Sequence, residues 1–290
     1  LESLVEKHNR TANVQVVFID VEKYSRRRSQ IQMTLIDRFT ELLHSSLART
    51  TEAYREYAQT NHLHIPEDVL ILPTGDGAGV LFSFEGLHDI HLKFARTLLE
   101  MIHAKNLEDG CSDYAEHGWC NCHPSFGVRI GISEGTAIFY RDANKRLNAA
   151  GRTINLAARV MSIGDAGKIL FSENAFRQLV DLTNDTALIT SFRCYPNVHL
   201  KDGEKTTVYQ YLGNDEDYIN STPVVGLGFK GQLEAAARIF SGASKHPRSL
   251  PDAGRNILAD LIQGVADTIS ADSAGSESHG PAPRKSKRKE

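Results

Sequence analysis

The chain has 290 residues, of which 41% are apolar and 24% charged, with a net charge of −3. That apolar share supports a packed core and excludes a wholly disordered chain or a collagen-like fibre. The small negative charge argues against a general nucleic-acid binder, and no apolar run approaches the roughly 20 residues of a membrane-spanning helix, so a cytoplasmic location is expected.

In chain order, the first predicted element is a strand over 14–20, rich in β-branched residues and ending on Asp20. Polar VEKYSRRRSQ follows, then a helix over about 32–58 with Leu35, Phe39, Leu42, Leu43 and Leu47 recurring at three and four residues. DVLILP and GVLFSF read as two short strands joined by the tight-turn signal T-G-D-G (74–77). A second helix runs from His88 to about Lys105, with Ile90, Phe94, Leu98, Leu99 and Ile102 on one stripe. A cysteine-rich excursion comes next. FGVRIGIS (126–133) and TAIFY (136–140) are expected to form a hairpin turning at Glu134-Gly135. A third helix begins near Arg152. After it come a strand (168–172), a helix (174–181) and strands near 188–193 and 207–212. The alternation is βαββαβ with additions, which predicts an α+β fold: a ferredoxin-like or palm-type core, an antiparallel-rich sheet with helices packed on it.

Texture changes after about Gly213, so the expected boundaries are a catalytic domain over 1–215, a helical extension over 216–271 and a disordered basic tail over 272–290. The extension holds two helical stretches, 231–240 and 253–271. The last seven residues, RKSKRKE, carry five bases, leaving about −7 on the rest of the chain.

Cys111, Cys120 and Cys122 cluster in the excursion, with His117 and His123 nearby. The C-x8-C-x-C-H spacing lacks the paired C-x2-C knuckles of common zinc modules. Reduced thiols on a surface loop and a loop-borne metal site both remain open.

Two aspartates stand at strand ends, Asp20 closing the first strand and Asp76 at the tip of the next hairpin. In a palm-type sheet these tips are neighbours. Adjacent carboxylates repel, and both ionise readily only with a cation between them. Divalent Mg2+ or Mn2+, which favour oxygen ligands, suit such a pair, and a two-ion site can activate a hydroxyl and offset charge on a phosphate. Arg129 is a lone charge in an apolar strand and needs an anionic partner, either a triphosphate or a structural carboxylate. In GRTINLAARVMS, Asn155 and Arg159 are four residues apart on one helical face, where they can orient a ribose oxygen and hold a phosphoryl group. Lys201 and Lys205, in HLKDGEK, can each reach a terminal phosphate.

The series F-I-D, T-G-D-G, V-R-I-G-I-S-E-G, G-R-T-I-N-L-A-A-R and L-K-D-G resembles the class III nucleotidyl cyclase catalytic domain over roughly residues 13–212. The resemblance implies that Asp20 and Asp76 hold the two metal ions with help from the Val21 carbonyl. It implies that Arg129 and either Lys201 or Lys205 bind the triphosphate, and that Asn155 and Arg159 are the transition-state pair. It also implies a head-to-tail homodimer with two shared sites, in which one protomer supplies the aspartates and the other the Asn/Arg pair. The family sets base choice four residues before the second aspartate and seven before the Asn. Here those positions hold Leu72 and Asn148, which fit neither the Lys and Asp (or Thr) of adenylyl cyclases nor the Glu and Cys of guanylyl cyclases. That departure resembles the bacterial pyrimidine cyclases of antiphage defence, which make cyclic CMP or cyclic UMP as a signal read by a separate cyclic-nucleotide-sensing effector. UTP is expected ahead of CTP, because no carboxylate stands where an exocyclic amine would be accepted. An adenylyl cyclase with unusual contacts and an inactive nucleotide-binding scaffold are the alternatives. The GGDEF signature of diguanylate cyclases is absent.

Overall fold

The structure, a computed structural model, describes residues 11–62, 69–83, 86–183, 186–200, 203–214, 216–224 and 227. The predicted tail helices and the basic terminus lie outside the described residues, as does Lys201. The described part falls almost wholly in a unit ending at Gly226.

Strand β1 (Thr11–Val21) leads through a 3-10 turn (Tyr24–Arg26) into α1 (Ser29–Thr60). Strands β2 (Leu70–Pro73) and β3 (Gly77–Phe82) form the first hairpin, followed by α2 (Ile90–Asp109) and the short α3 (Ser112–His117). Then come β4 (Val128–Arg141), β5 (Leu147–Ala150), α4 (Arg152–Met161), β6 (Ile169–Ser172) and α5 (Glu173–Thr183). The helix α6 (Thr186–Thr190) and strands β7 (Phe192–His199) and β8 (Lys205–Tyr211) complete the set. The sheet runs β2-β3-β1-β4-β6-β8-β7, with β5 paired to β4. Each neighbouring pair among its first four strands is antiparallel, in the ferredoxin-like order. The β4–β6 pair is parallel.

The sheet's two faces follow the side-chain alternation of β1. Val17, Ile19 and Val21 point into the main core with Leu35, Phe39 and Leu43 of α1 and Phe94 and Leu98 of α2. Both helices bury the stripes predicted from their periodicity. Val14 and Val16 face the other way, into a smaller cluster with Leu81, Ala137, Phe139, Ala149 and two residues of α4, Ile154 and Ala157. Phe18, Leu70, Leu72 and Leu147 are only partly buried at the margin of that cluster. One face of the sheet therefore carries the main helical layer, and the other a partly open apolar surface.

Two expectations are corrected. The hairpin at Glu134-Gly135 does not form: β4 runs unbroken, and β1 pairs along it from Thr11 opposite Ile138 to Val21 opposite Val128. Gly135 sits opposite Val14 in the ladder. Its glycine serves close packing, since a Cβ there would lie 2.9 Å from Thr153 Oγ1. That hydroxyl donates to the Thr136 carbonyl at 2.8 Å and ties the first turn of α4 to the strand. A Cβ on Gly131 would overlap the Ala157 carbonyl oxygen and the Met161 amide further along the same helix. The true turn follows at Asp142–Arg146, where Asp142 Oδ1 accepts from the Asn144 and Arg146 amides at 2.8 and 3.0 Å. The predicted strand near 188–193 is also displaced. Residues 186–190 are helical, with the Thr190 and Ser191 hydroxyls both donating to the Ala187 carbonyl at 2.9 Å, and β7 starts only at Phe192. A five-residue apolar run does not by itself distinguish a helical turn from a strand.

Beyond β8, residues 216–224 pack back onto this unit. Ile219 joins the main core, Arg96 Nη2 meets Glu216 Oε1 at 2.5 Å, and the Val224 amide donates to the Tyr195 hydroxyl at 3.0 Å.

Candidate active site

Asp20 ends β1 between its two neighbours in the sheet. Gly77 of β3 is opposite it on one side and Arg129 of β4 on the other. Gly77 is required by this approach, because a Cβ would strike the Ile19 carbonyl oxygen. In the T-G-D-G turn Gly75 takes the left-handed φ of 97° and the Thr74 amide donates to the Gly77 carbonyl at 3.1 Å. The Val21 amide then donates to the Asp76 carbonyl at 3.0 Å, pinning the hairpin tip to the end of β1. The two aspartates are thus neighbours, as the strand order predicts, and the Val21 side chain is buried in the main core.

Arg129 Nε donates to Asp20 Oδ2 at 2.8 Å, with both side chains part-exposed. Of the two partners open to Arg129 in the sequence, a carboxylate holds it here. Burial pushes the Asp20 carboxyl above its ordinary range; the hydrogen bond and charge of Arg129 oppose this, while the charges of Asp76 and Glu22 add to it. Two converging carboxylates, one of them already costly to ionise, form a donor set that a hard divalent cation would relieve. The residues present fit Mg2+ or Mn2+ at Asp20 and Asp76.

Asn155 and Arg159 lie on α4, which runs back from Gly135 toward Gly131 of β4. The helix starts over Gly135, and along β4 the span from Arg129 to Gly135 is roughly 20 Å at about 3.3 Å per residue. Asn155 is exposed. Arg159 Nη1 meets Glu204 Oε2 at 3.1 Å, and the other oxygen of Glu204 takes Arg152. Glu204 escapes the sequence reading because its partners are about 45 and 52 residues away. Its one signal is an acid set between two candidate phosphate-binding lysines. Lys205 follows it as the exposed first residue of β8. Strands β2 and β5 come into contact, bringing together the segments that carry Leu72 and Asn148. Leu72 borders the small apolar cluster, and the Asn148 amide oxygen accepts from the Ala149 N–H at 2.8 Å. The protomer therefore presents two separate halves: carboxylates with an arginine at the end of β1, and an amide, a guanidinium and a lysine along α4 and at the start of β8.

Residues 81–213 match the family described as the adenylate and guanylate cyclase catalytic domain. Among solved structures, the chain is similar to the guanylate cyclase domain of RhGC from Catenaria anguillulae in complex with GTP. The two share 18% identity over 70% of this chain and 98% of that one, with a TM-score of 0.51. It is also similar to the catalytic core of a rhodopsin-guanylyl cyclase with converted specificity in complex with ATPalphaS. Here identity is 19%, coverage 70% and 96%, and the TM-score 0.50. The fold is that of a nucleotide cyclase catalytic domain. No curated protein matches the chain. The matched segment spans Arg129, Asn148, Asn155, Arg159 and Lys205, while Asp20, Leu72 and Asp76 precede it. Among the described residues, no helix is long and apolar enough to cross a membrane.

Proposed function

We propose that the chain is a class III nucleotidyl cyclase that converts UTP to 3′,5′-cyclic UMP and pyrophosphate, working as a head-to-tail homodimer. The observation that carries the reading is the division of the protomer. Asp20, Asp76 and Arg129 cluster at the end of β1, and Asn155, Arg159 and Lys205 gather along α4 and at the start of β8. Neither half is a site alone. A two-fold axis across the α4 face would bring each half against the complementary half of a second copy. The partly buried Phe18, Leu70, Leu72 and Leu147 give that face an apolar surface to cover.

In the assembled site Asp20 and Asp76, with the Val21 carbonyl, would hold divalent ions, which would offset charge on the triphosphate and acidify the ribose hydroxyl. Arg129 exchanges Asp20 for triphosphate oxygens, joined by Lys205 or Lys201. Asn155 orients the ribose so that its 3′-oxygen lies in line with the α-phosphorus. The 3′-hydroxyl loses its proton to solvent, the O3′–Pα bond forms, the bond from Pα to the bridging oxygen breaks, and pyrophosphate leaves. Arg159 offsets the charge that accumulates on the α-phosphoryl oxygens.

The base faces Leu72 and Asn148. Leu72 offers no hydrogen bond to a purine edge, and the Asn148 amide both donates and accepts. A site without partners for a base's polar edge discriminates weakly in its favour. Uracil, which presents carbonyls and an N–H but no exocyclic amine, is the better fit. The cyclic nucleotide then serves as a defence signal in a bacterial cell, read by a separate effector protein. Incubation of the dimer with each of the four ribonucleoside triphosphates and Mn2+, with products identified by mass, tests this. Cyclic UMP should dominate. Dominant cyclic CMP would move the assignment to cytidylate, dominant cyclic AMP would overturn the pyrimidine reading, and no product from any triphosphate would overturn the cyclase.

A further inference from the structure

The excursion between α2 and β4 belongs to neither half-site, yet it gathers three thiols. Cys111 Sγ lies 3.6 Å from Cys120 Sγ and 3.3 Å from Cys122 Sγ, and all three sulfurs fall within 4.8 Å of one another. The cysteines come from the N-terminal boundary of α3 and from the loop beyond it, so the chain folds back on itself to bring them together. These separations are too long for a disulfide, whose sulfurs are about 2.05 Å apart. They are close to the edge of a tetrahedron about a metal: with zinc–sulfur bonds of about 2.3 Å, neighbouring sulfurs stand roughly 3.8 Å apart. Asp113, in the first turn of α3, places Oδ2 3.6 Å from Cys122 Sγ.

A second observation points the same way. Arg27 is only 4% exposed and lies beneath the cluster. Its Nη1 donates to the Cys120 carbonyl at 3.3 Å and to the Ser125 carbonyl at 2.8 Å. Its Nε and Nη2 are buried and have no hydrogen-bond partner among the described residues. An unpaired buried guanidinium is costly and calls for an anionic neighbour. Three neutral thiols do not supply one; a thiolate-bound dication with net negative charge does.

We propose that Cys111, Cys120, Cys122 and Asp113 form a closed structural zinc site. Three thiolates and one carboxylate around Zn2+ give a net charge of −2, and Arg27 offsets part of it. The three thiol protons are released to solvent on binding. Soft sulfur ligands favour zinc over the hard ions that suit Asp20 and Asp76, so the two metal sites are chemically distinct. The site braces the segment that leaves Asp20. Beside the two Arg27 bonds, Lys23 Nζ reaches the His117 carbonyl at 3.3 Å, and the Arg28 amide donates to Asn121 Oδ1 at 2.8 Å. The excursion thereby holds the turn that connects β1 to α1.

The test uses the full chain purified under reducing conditions without chelator. Elemental analysis is expected to find about one zinc per chain, and cobalt replacement to give thiolate-to-metal charge transfer with intense tetrahedral bands. Cys122 is exposed, so Cys122→Ser should leave the circular dichroism spectrum intact while reducing bound zinc at least tenfold. Asp113→Asn should weaken zinc binding about tenfold without abolishing it; unchanged affinity would remove Asp113 from the ligand set. The proposal is overturned if the wild-type chain holds no zinc after reconstitution and its three thiols react equally fast with and without added Zn2+. It is also overturned if two of the three are found as a disulfide in the zinc-saturated protein. These readouts do not depend on cyclase activity.

Discussion

Burial sets the chemistry of single side chains away from the candidate site as well as within it. Glu134 sits in β4 opposite Gln15, and burial pushes its carboxyl up to about 7. Because the folded pKa is raised, the stability tied to its proton is fully present below the ordinary value of about 4.5 and is lost as pH rises through 7. Glu134→Gln is therefore expected to raise the thermal midpoint by a few degrees at pH 8 and to leave it nearly unchanged at pH 5. His91 runs the opposite way: fully buried beside Phe171, it is pushed down to about 4 and loses its contribution as pH falls from 6.5 through 4. Glu204 acts on function instead. It occupies the Arg159 guanidinium that the proposed mechanism turns toward the α-phosphoryl group. Removing a half-exposed competitor of this kind is worth up to about 1 kcal/mol, so Glu204→Gln should lower KM for the triphosphate by roughly threefold to fivefold. Steady-state kinetics with a matched melting curve separates this from a loss of folding. At this scale the sequence supplies candidate residue types. Asp20, Asp76, Asn155 and Arg159 are named from their motifs, and Arg129 from its isolation in an apolar strand. Their partners are not legible, because the Asp20–Arg129 pair spans 109 residues and depends on register.

The elements are legible wherever a long period repeats. Both long helices and the β2–β3 hairpin follow from apolar spacing and the T-G-D-G turn. The error at Glu134-Gly135 has one cause: a glycine that admits a neighbouring helix leaves the same mark in a sequence as one that admits a turn. Gly131 and Gly135 lie on the same face of β4, four residues apart, as the docking groove of α4. Gly131→Ala is accordingly expected to push α4 off the sheet. Overpacking of this size costs about 3 kcal/mol, visible as a lower denaturation midpoint. Because α4 carries Asn155 and Arg159, kcat should collapse even under conditions where the variant remains folded. Gly203, where an added Cβ meets nothing within 4 Å among the described residues, provides the contrast. Its φ of 76° makes Ala mildly unfavourable there, without any change in helix docking.

For the whole molecule, the proposed sharing of the site between two copies rests on Asp20 and Arg129 lying six residues along β4 from Gly135, where α4 begins. Asp20→Ala and Asn155→Ala should each be inert alone. Mixed in equal amounts and allowed to exchange, they should recover about a quarter of wild-type activity, since half the dimers are mixed and each mixed dimer holds one intact site of two. Recovery near zero would mean that both halves act within one chain. The proposed pairing carries a consequence for dosage. Output from a chain that is silent until it meets its twin rises with the square of its abundance when copies are scarce, and only linearly once pairs are saturated. Serial dilution of the purified protein should therefore extinguish turnover per chain. A cell holding few copies would stay quiet by mass action alone, with no inhibitor needed to keep it so.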